Sequence, residues 1–323
     1  MNSKIEEAYN RIKNTINKTP IMTSSTLNEL VKAECFLKME SFQRTGSFKF
    51  RGAFNAISCL KPESKAKGVT THSSGNHAQA LALAAKMAGV KAVVVMPKNA
   101  PKIKVAATRN YGAKIVFCGT KPGDRERTST KLIEEHGYTL IHSNNDFDVI
   151  YGQGTATYEL IKEVGNVDYI FAPCGGGGLL SGTAIATKNL SPDTKVIGVE
   201  PKNADDAYRS FRDGKRYLVD NPNTIADGLR VSLGTNSFEI IKEKVDDIIT
   251  VSEEQIIDAM EFLWVRMKLV VEPSGAVSLA GVLSGKINVK SKRVGIIISG
   301  GNIDLTEFFE HIKKKRKEKK GKN

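Results

Sequence analysis

The chain has 323 residues, 40% apolar and 26% charged, which is enough for about two globular domains with sizeable cores. No apolar run approaches the about 20 residues that a membrane helix needs, and scattered glycines with mixed periodicity exclude collagen and coiled coils. The net charge is +13, but residues 311–323 alone carry +7. A lysine run without apolar partners predicts a solvated, disordered tail, so neither a nucleic-acid nor a membrane partner is expected.

The cysteine pattern and the N-terminus indicate a reducing compartment. Cys35, Cys59, Cys118 and Cys174 are far apart, and no pair has the spacing of a metal site or a redox motif. The first residues contain neither an apolar signal core nor a transit-peptide pattern. We therefore expect a cytoplasmic protein.

The predicted elements, taken in chain order, indicate an α/β fold. An apolar stripe at helical spacing predicts an opening helix that ends by Pro20. From residue 68 onward, short apolar strands alternate with helices, which is typical of βαβ units and a mostly parallel sheet. The predicted strands lie within 68–74, 91–97, 114–118, 138–143, 168–174 and 195–200, and the predicted helices lie within 76–89, 101–112, 130–137, 155–165 and 183–189.

The same alternation predicts two domains, each a doubly wound, mostly parallel sheet. Residues 68–145 would form a small inserted domain, and residues 1–67 with 146–323 would form the larger one. Binding sites in such folds lie at the carboxyl ends of strands and often between domains. We expect the active site between these two domains.

A run of glycines after an apolar strand is the most specific local motif. The segment PCGGGGLLSG, residues 173–182, follows a predicted strand and precedes a predicted helix. Backbone N–H groups can converge on an anion there, and the helix N-terminus adds positive potential. Neither a dinucleotide fingerprint nor a P-loop fits these residues, so the motif predicts a phosphate cup.

Four further stretches carry polar groups at loop junctions. Lys49 lies between two phenylalanines in SFQRTGSFKFRGA, and a lysine nucleophile needs such a desolvated position. The loop THSSGNHAQA, residues 71–80, suits a carboxylate, although a plain helix cap explains it equally well. RVGIIISGGNIDL, residues 293–305, places a serine and an asparagine after a buried strand. In residues 198–208 acidic side chains cluster, which is more typical of a solvated turn than of a cation site.

These five stretches together resemble the fold-type II pyridoxal-phosphate enzymes, in the branch of the serine racemases and serine/threonine dehydratases. SFKFRGA, SSGNH, GGGG and SGGN occur in that family's order, and the resemblance runs from about Thr19 to Leu305. It implies a tryptophan synthase β-like fold, pyridoxal phosphate as cofactor, an amino-acid substrate and a homodimer.

The resemblance also implies which residues hold the cofactor. Lys49 would form a Schiff base with pyridoxal phosphate, and Ser299 would meet the pyridine nitrogen. A hydroxyl partner does not force protonation of that nitrogen, which favours elimination and proton exchange over transamination. The remaining implied cofactor residues are Asn76 and Asn144 at the ring edge and Gly175, Gly176, Gly177 and Gly178 around the phosphate.

By the same resemblance, the substrate lies between two proton-transfer groups. Lys49 would take the α-proton from one face, and Ser74 would act from the other, as racemisation requires. The substrate carboxylate would be held by Ser73, Asn76 and His77 with their backbone N–H groups, and Ser74 and Arg125 would also lie on the substrate side. The expected reactions are interconversion of L- and D-serine and elimination of water from serine to give pyruvate and ammonia.

Two alternatives remain open at this point. Many threonine dehydratases carry alanine at the position of Ser74, whereas hydroxyaspartate dehydratases can share the serine, and Arg125 suits a second carboxylate. A dehydratase of L-threonine, L-serine or threo-3-hydroxyaspartate without racemisation is therefore the rival enzyme. The basic tail motivates a rival of another class, a polyanion binder with an inactive enzyme fold.

Finally, the resemblance implies a metal site and an effector site. Glu200, the Ala204 carbonyl and Asp206 would bind Mg²⁺ or Ca²⁺. An ATP site at the dimer interface would involve several residues, although Thr26 and Arg44 depart from the mammalian pattern. These are Ser24, Ser25, Thr26, Arg44, Thr45, Gln79, Lys104 and Tyr111.

Overall fold

A computed structural model describes residues 3–121, 123–306, 309, 310 and 313. The basic tail, apart from Lys313, lies outside the described residues, as does His311. Its predicted disorder stays a prediction.

A six-stranded sheet forms the centre of the larger part of the molecule. Its strands are β1 (Ile21–Met22), β2 (Glu34–Met39), β7 (Tyr169–Pro173), β8 (Lys195–Pro201), β9 (Asp247–Val251) and β10 (Arg293–Ile298). The spatial order is β1-β2-β10-β7-β8-β9, in which only β1 runs antiparallel to its neighbour. The other strands are therefore buried on both faces, which explains their continuous apolar sequences.

A second sheet of four strands belongs to the inserted segment. Its strands are β3 (Val69–His72), β4 (Ala92–Pro97), β5 (Lys114–Cys118) and β6 (Thr139–Leu140). All pair in parallel in the order β5-β4-β3-β6. The predicted fold class, α/β with two mostly parallel sheets, is confirmed, whereas the exact domain boundaries stay a prediction.

Thirteen helices within the described residues surround the two sheets. They are α1 (Lys4–Ile12), α2 (Ser25–Val31), α3 (Lys49–Cys59), α4 (Pro62–Lys67), α5 (Asn76–Met87), α6 (Lys102–Asn110), α7 (Asp124–His136), α8 (Phe147–Val164), α9 (Gly178–Leu190), α10 (Asp206–Asp213), α11 (Thr235–Lys244), α12 (Glu253–Val265) and α13 (Pro273–Leu283). Short 3₁₀ turns occupy Glu40–Phe42, Arg44–Gly46, Lys202–Ala204 and Asp227–Leu229. No helix of the described residues is long and apolar enough to cross a membrane.

Local capping fixes where several helices begin. The Ser252 hydroxyl accepts a hydrogen bond from the Gln255 N–H, and the Gln255 side-chain oxygen accepts one from the Ser252 N–H. This capping box starts α12. The Asp146 carboxylate accepts from two N–H groups at the start of α8. This helix begins eight residues before the predicted 155–165, because the cap lies in the polar stretch that precedes the apolar stripe.

A buried cluster of four charged residues anchors α3 to its neighbours. Arg51 donates to both carboxylate oxygens of Glu40 and both of Glu159. Lys38 on β2 pairs with Glu159 at 2.7 Å and donates to the Thr19 carbonyl. Each of the four side chains is 1% exposed or less, and the two positive and two negative charges balance. Arg51 of this cluster lies two residues after Lys49 on α3, so the cluster fixes the start of that helix.

Candidate active site

A cavity of about 390 Å³ lies where the carboxyl ends of strands from both sheets meet. Its walls come from the loop after β3, the loops after β6 and β7, the residue after β10 and the turn Asp227–Leu229. This volume falls within the usual range for small-molecule sites. The cavity is lined by all the predicted cofactor and substrate residues: Lys49, Ser73, Ser74, Asn76, His77, Arg125, Asn144, Gly175, Gly176, Gly177, Gly178 and Ser299.

Lys49 is the amine of this cavity. It is the first residue of α3, and its Nζ donates to the Ser143 carbonyl at 2.9 Å. Burial lowers the pKa of its ammonium to about 8, although the carboxylate of Glu272 opposes the shift. A lysine with such a pKa has a substantial neutral fraction near physiological pH and can act as nucleophile or base.

The loop after β3 leads into α5 and presents polar groups to the cavity. The Ser73 hydroxyl accepts from the Gly75 N–H, and the half-buried Ser74 lines the wall. The His77 Nε2 lies 3.0 Å from the Ile141 carbonyl oxygen, and burial, with help from the Lys49 charge, lowers the pKa of its ring to about 3. His77 is therefore neutral, so the groups here that can attract an anion are the first amides of α5 rather than an imidazolium.

The four-glycine loop is packed too closely for any side chain. A Cβ at Gly176 would lie 1.5 Å from the Asn144 Nδ2, and Gly177 has φ = +85°. Asn144 holds the loop by donating to the Gly176 carbonyl at 2.8 Å. The N-terminus of α9 then starts at Gly178, where free amides and the helix dipole favour an anion.

Glu272 is a cavity residue that the sequence analysis did not find. It is 4% exposed and precedes α13, and its Oε1 accepts from the Asn76 side chain at 2.7 Å. Asn302 donates in turn to the Asn76 side-chain oxygen at 2.9 Å. Asn76 is thus committed to Glu272 and Asn302 as the molecule stands, and Ser299 lies beside them with its hydroxyl 3.4 Å from the Ser274 carbonyl.

Burial makes Glu272 a weak acid. It raises the pKa of the Glu272 carboxyl to about 8, and the Asp227 carboxylate pushes in the same direction, whereas Asn76 and Lys104 oppose the shift. Its only sequence signal is a lone acid before a proline in an apolar stretch, VVEPSGAV.

Most of the chain matches a known protein family. The family model described as pyridoxal-phosphate dependent enzyme matches residues 12–300. The chain belongs to this family.

Individual relatives narrow the comparison. L-threo-3-hydroxyaspartate ammonia-lyase of Saccharomyces cerevisiae is 50% identical over 94% of this chain and 93% of its own length. Serine racemase of Schizosaccharomyces pombe is 49% identical over 95% of this chain and 96% of its own length. The crystal structure of serine racemase from Dictyostelium discoideum matches with a TM-score of 0.90 and 49% identity, covering 94% of this chain and 98% of that one. The predicted fold-type II identity is therefore confirmed.

The cavity fits the pyridoxal phosphate of this family. The closely packed glycine loop offers amides to a phosphate, and Lys49 offers an amine of lowered pKa on the same cavity. Ser299, 3% exposed, supplies a hydroxyl and no charge at the cavity wall.

The predicted metal residues form a buried acidic pair beside the glycine loop. Glu200 ends the apolar part of β8 and accepts from the Ala207 and Tyr208 N–H groups, and burial and Asp206 together raise its pKa well above the ordinary value. Burial raises the pKa of Asp206 to about 6. The Asp206 Oδ2 accepts from the Leu233 N–H, whereas its buried Oδ1 has no hydrogen-bond partner among the described residues.

An orphaned oxygen beside a second buried carboxylate fits a hard cation. The structure places Ala204 at the end of the turn between Glu200 and Asp206, and it is buried. Two carboxylates and a backbone carbonyl are oxygen ligands of the kind that Mg²⁺ and Ca²⁺ take. No group of three or more His, Cys, Asp or Glu side chains with metal-binding geometry occurs in the described part of the chain.

The predicted effector residues are only partly gathered. Ser24, Ser25 and Thr26 begin α2, the Arg44 guanidinium donates to the Thr15 carbonyl, and Thr45 in the Arg44–Gly46 turn lies near α5, which carries the buried Gln79. Tyr111 ends α6. Lys104 is different, since it lines the cavity and pairs with Asp227.

Proposed function

We propose that the protein is a pyridoxal-phosphate-dependent serine racemase that also eliminates water from serine to give pyruvate and ammonia. The observation that carries this proposal is the presence of two proton-transfer groups, Lys49 and Ser74, on one cavity beside a phosphate cup. The relatives named serine racemase support it through nearly full-length similarity.

The mechanism follows from the chemistry of the cavity residues. Pyridoxal phosphate would be held by Lys49, Asn144, Ser299 and the loop 175–178. When bound, this group withdraws electrons from the substrate α-carbon and so acidifies the α-proton. The Lys49 amine, whose pKa is lowered to about 8, takes this proton at its Nζ. The amides at the start of α5 hold the carboxylate and orient the α-carbon.

Two products then depend on the same starting step. A proton delivered by the Ser74 hydroxyl to the opposite side of the α-carbon gives the enantiomer with no net change in composition. Loss of the β-hydroxyl with a proton gives water, and hydrolysis then yields pyruvate and ammonia. Both outcomes share one loss of the α-proton, so a barrier difference of about 1.4 kcal/mol changes their ratio tenfold.

A single time course with a Ser74→Ala variant tests this function. Enzyme with pyridoxal phosphate and Mg²⁺ is incubated with L-serine, and D-serine and pyruvate are quantified together. We expect both products from the native protein, and loss of at least tenfold of D-serine formation in the variant while pyruvate persists. Pyruvate without D-serine from the native protein would identify a dehydratase.

A second candidate is an ammonia-lyase for threo-3-hydroxyaspartate. Arg125 is exposed on the cavity wall, and no ion pair to it occurs among the described residues, so its guanidinium can meet a second carboxylate. Relatives from Saccharomyces cerevisiae and a Pseudomonas species bear the name L-threo-3-hydroxyaspartate ammonia-lyase. Parallel assays with this substrate and with L-threonine separate the two functions.

We also propose that Glu200, the Ala204 carbonyl and Asp206 bind Mg²⁺ or Ca²⁺, because the buried Asp206 Oδ1 has no hydrogen-bond partner in the part of the chain that the structure describes. A homodimer whose activity responds to ATP, in a cytoplasmic location, completes the proposal. The buried Thr45 hydroxyl near Gln79 has no hydrogen-bond partner among the described residues, which supports an effector site there. The four free cysteine thiols support a reducing compartment. Sedimentation and an ATP titration of the pyruvate rate test the first two.

A further inference from the structure

An ion pair closes one side of the cavity. Lys104 lies in the first turns of α6, and Asp227 begins the 3₁₀ turn that packs on the glycine loop. The Lys104 Nζ contacts the Asp227 Oδ2, with the side chains 23% and 42% exposed. Within the described residues it is the one ion pair that joins residues 68–145 to the rest of the chain.

The two charges act on the cavity itself. Burial and, to a smaller extent, the Asp227 carboxylate raise the pKa of Glu272 to about 8, whereas the Lys104 ammonium opposes the shift. Both groups therefore lie close enough to change the energy of an anion bound in the cavity. Because the two side chains are only partly buried, salt can screen the electrostatic interaction of each charge with a bound anion.

Of the other cavity cations, Arg230 and Lys49 are committed, whereas Arg125 is exposed and has no ion pair among the described residues. Arg230 donates from Nε and from a terminal nitrogen to the Thr224 carbonyl. Lys49 is the reactive amine of the proposed function, and Arg125 is exposed. Asp227 thus decides whether Lys104 remains a neutralised partner or becomes a free cation for a ligand.

We propose that the Lys104–Asp227 pair is a specificity determinant that favours substrates with an uncharged side chain over dicarboxylates. While the pair is intact, the Lys104 ammonium is bound to Asp227 and does not bind a substrate carboxylate. The Asp227 carboxylate then faces any second carboxylate of the substrate. This inference rests on the proposed function, because it concerns the substrate class of that same cavity.

The experiment removes each charge in turn from the holoenzyme. The variants are Asp227→Asn, Lys104→Gln and the double variant, assayed for kcat/KM with L-serine and with L-threo-3-hydroxyaspartate. We expect Asp227→Asn to raise the preference for the dicarboxylate about tenfold, because Lys104 is freed. Lys104→Gln should lower it about tenfold, because Asp227 is left unpaired, and added KCl should shrink both effects.

A binding measurement and a matched variant complete the test. Calorimetry compares succinate with butyrate, which differ by one carboxylate, and the affinity ratio should move as the kinetic ratio does. Asp246→Asn breaks the Lys188–Asp246 pair, whose exposures of 27% and 32% are similar but which lies away from the cavity, and it should leave both ratios unchanged.

Two results separate the failures. Unchanged ratios in Asp227→Asn, or equal shifts in Asp246→Asn, would overturn the specificity role while the native enzyme still converts serine. Native protein that converts neither substrate would overturn the proposed function, and the succinate-to-butyrate ratio would still decide whether the pair selects ligand charge.

Discussion

Glu272 is one of two cavity groups, with Lys49, whose pKa lies near 8 and whose charge therefore changes just above neutral pH. Its carboxyl is 4% exposed, faces Lys49, and accepts a hydrogen bond from Asn76. A protonated Glu272 removes one negative charge from the cavity without losing the hydrogen bond. Near neutral pH the site therefore holds a neutral acid next to an amine of lowered pKa.

This arrangement predicts a stability that falls with rising pH. The folded-state pKa of about 8 lies above the ordinary value of 4.5, so the folded protein retains a proton that the unfolded chain has lost between these values. The stabilisation is complete below the unfolded pKa and disappears as the pH rises through 8. We expect the cofactor-free protein to lose about 3 kcal/mol from this group between about pH 5.5 and 8.

Urea unfolding of the native protein and of Glu272→Gln, in the same buffers, measures this contribution. The glutamine keeps the oxygen that accepts from Asn76 but cannot ionise. Each protein gives a slope of unfolding free energy against pH. Glu200 and Asp206 contribute to the slope of both proteins, so the difference between the two slopes reports the contribution of Glu272. Equal slopes would show that Glu272 is ionised throughout this range.

At the scale of elements, the start of α3 depends on the buried charge cluster around Arg51. A guanidinium that makes bidentate contacts with two carboxylates has one allowed orientation, so it fixes α3 against α8 and β2. Lys49 projects from the same first turn. The placement of the reactive amine thus follows from residues that are outside the cavity.

We expect Glu159→Gln to destabilise the protein by about 3–5 kcal/mol. The variant leaves the two buried positive charges of Lys38 and Arg51 with only one negative charge to balance them. The control is Glu163→Gln, one turn further along α8, which breaks the Lys18 pair whose side chains are 66% and 41% exposed. That change should cost less than about 1 kcal/mol. Similar unfolding free energies for the two variants would contradict the role of the cluster.

Sequence patterns predicted the elements better than the contacts between them. The apolar strands, the glycine run and the lysine after TGSF are local signals, and each falls where the pattern places it. Glu272 was missed because its partner Asn76 is 196 residues away. The pairing of Lys104 with Asp227, 123 residues apart, is likewise a product of the fold, so no spacing in the sequence reports it.

For the whole molecule, the acidic pair connects the large sheet to the phosphate cup. Glu200 is the penultimate residue of β8, Asp206 begins α10, and the Asp206 carboxylate accepts a hydrogen bond from the Leu233 N–H. The Leu233 side chain packs against Gly177, where it lies 2.6 Å from the position of an added Cβ. A cation bound to the pair would therefore restrain the loop that supports the glycine loop.

This connection predicts that a divalent cation stabilises the fold and tightens cofactor binding. Ca²⁺ or Mg²⁺ at a hundredfold excess over its Kd should add about 2.7 kcal/mol, seen as a rise of a few degrees in Tm. The affinity for pyridoxal phosphate should rise with it, because an ordered loop lowers the entropy cost of binding. Scanning calorimetry and cofactor titration, each with cation or with chelator, measure the two effects.

Asp206→Asn should abolish both effects, because the amide removes one of the two charged ligands for the cation. The matched control is Asp205→Asn, which changes the adjacent, partly exposed acid that pairs with Arg209 instead. Asp205→Asn should keep the cation response, since the native Asp205 carboxylate is paired with the Arg209 guanidinium and is not one of the proposed cation ligands. A cation response that survives in Asp206→Asn would place the ion elsewhere in the molecule and break the proposed connection between the acidic pair and the phosphate cup.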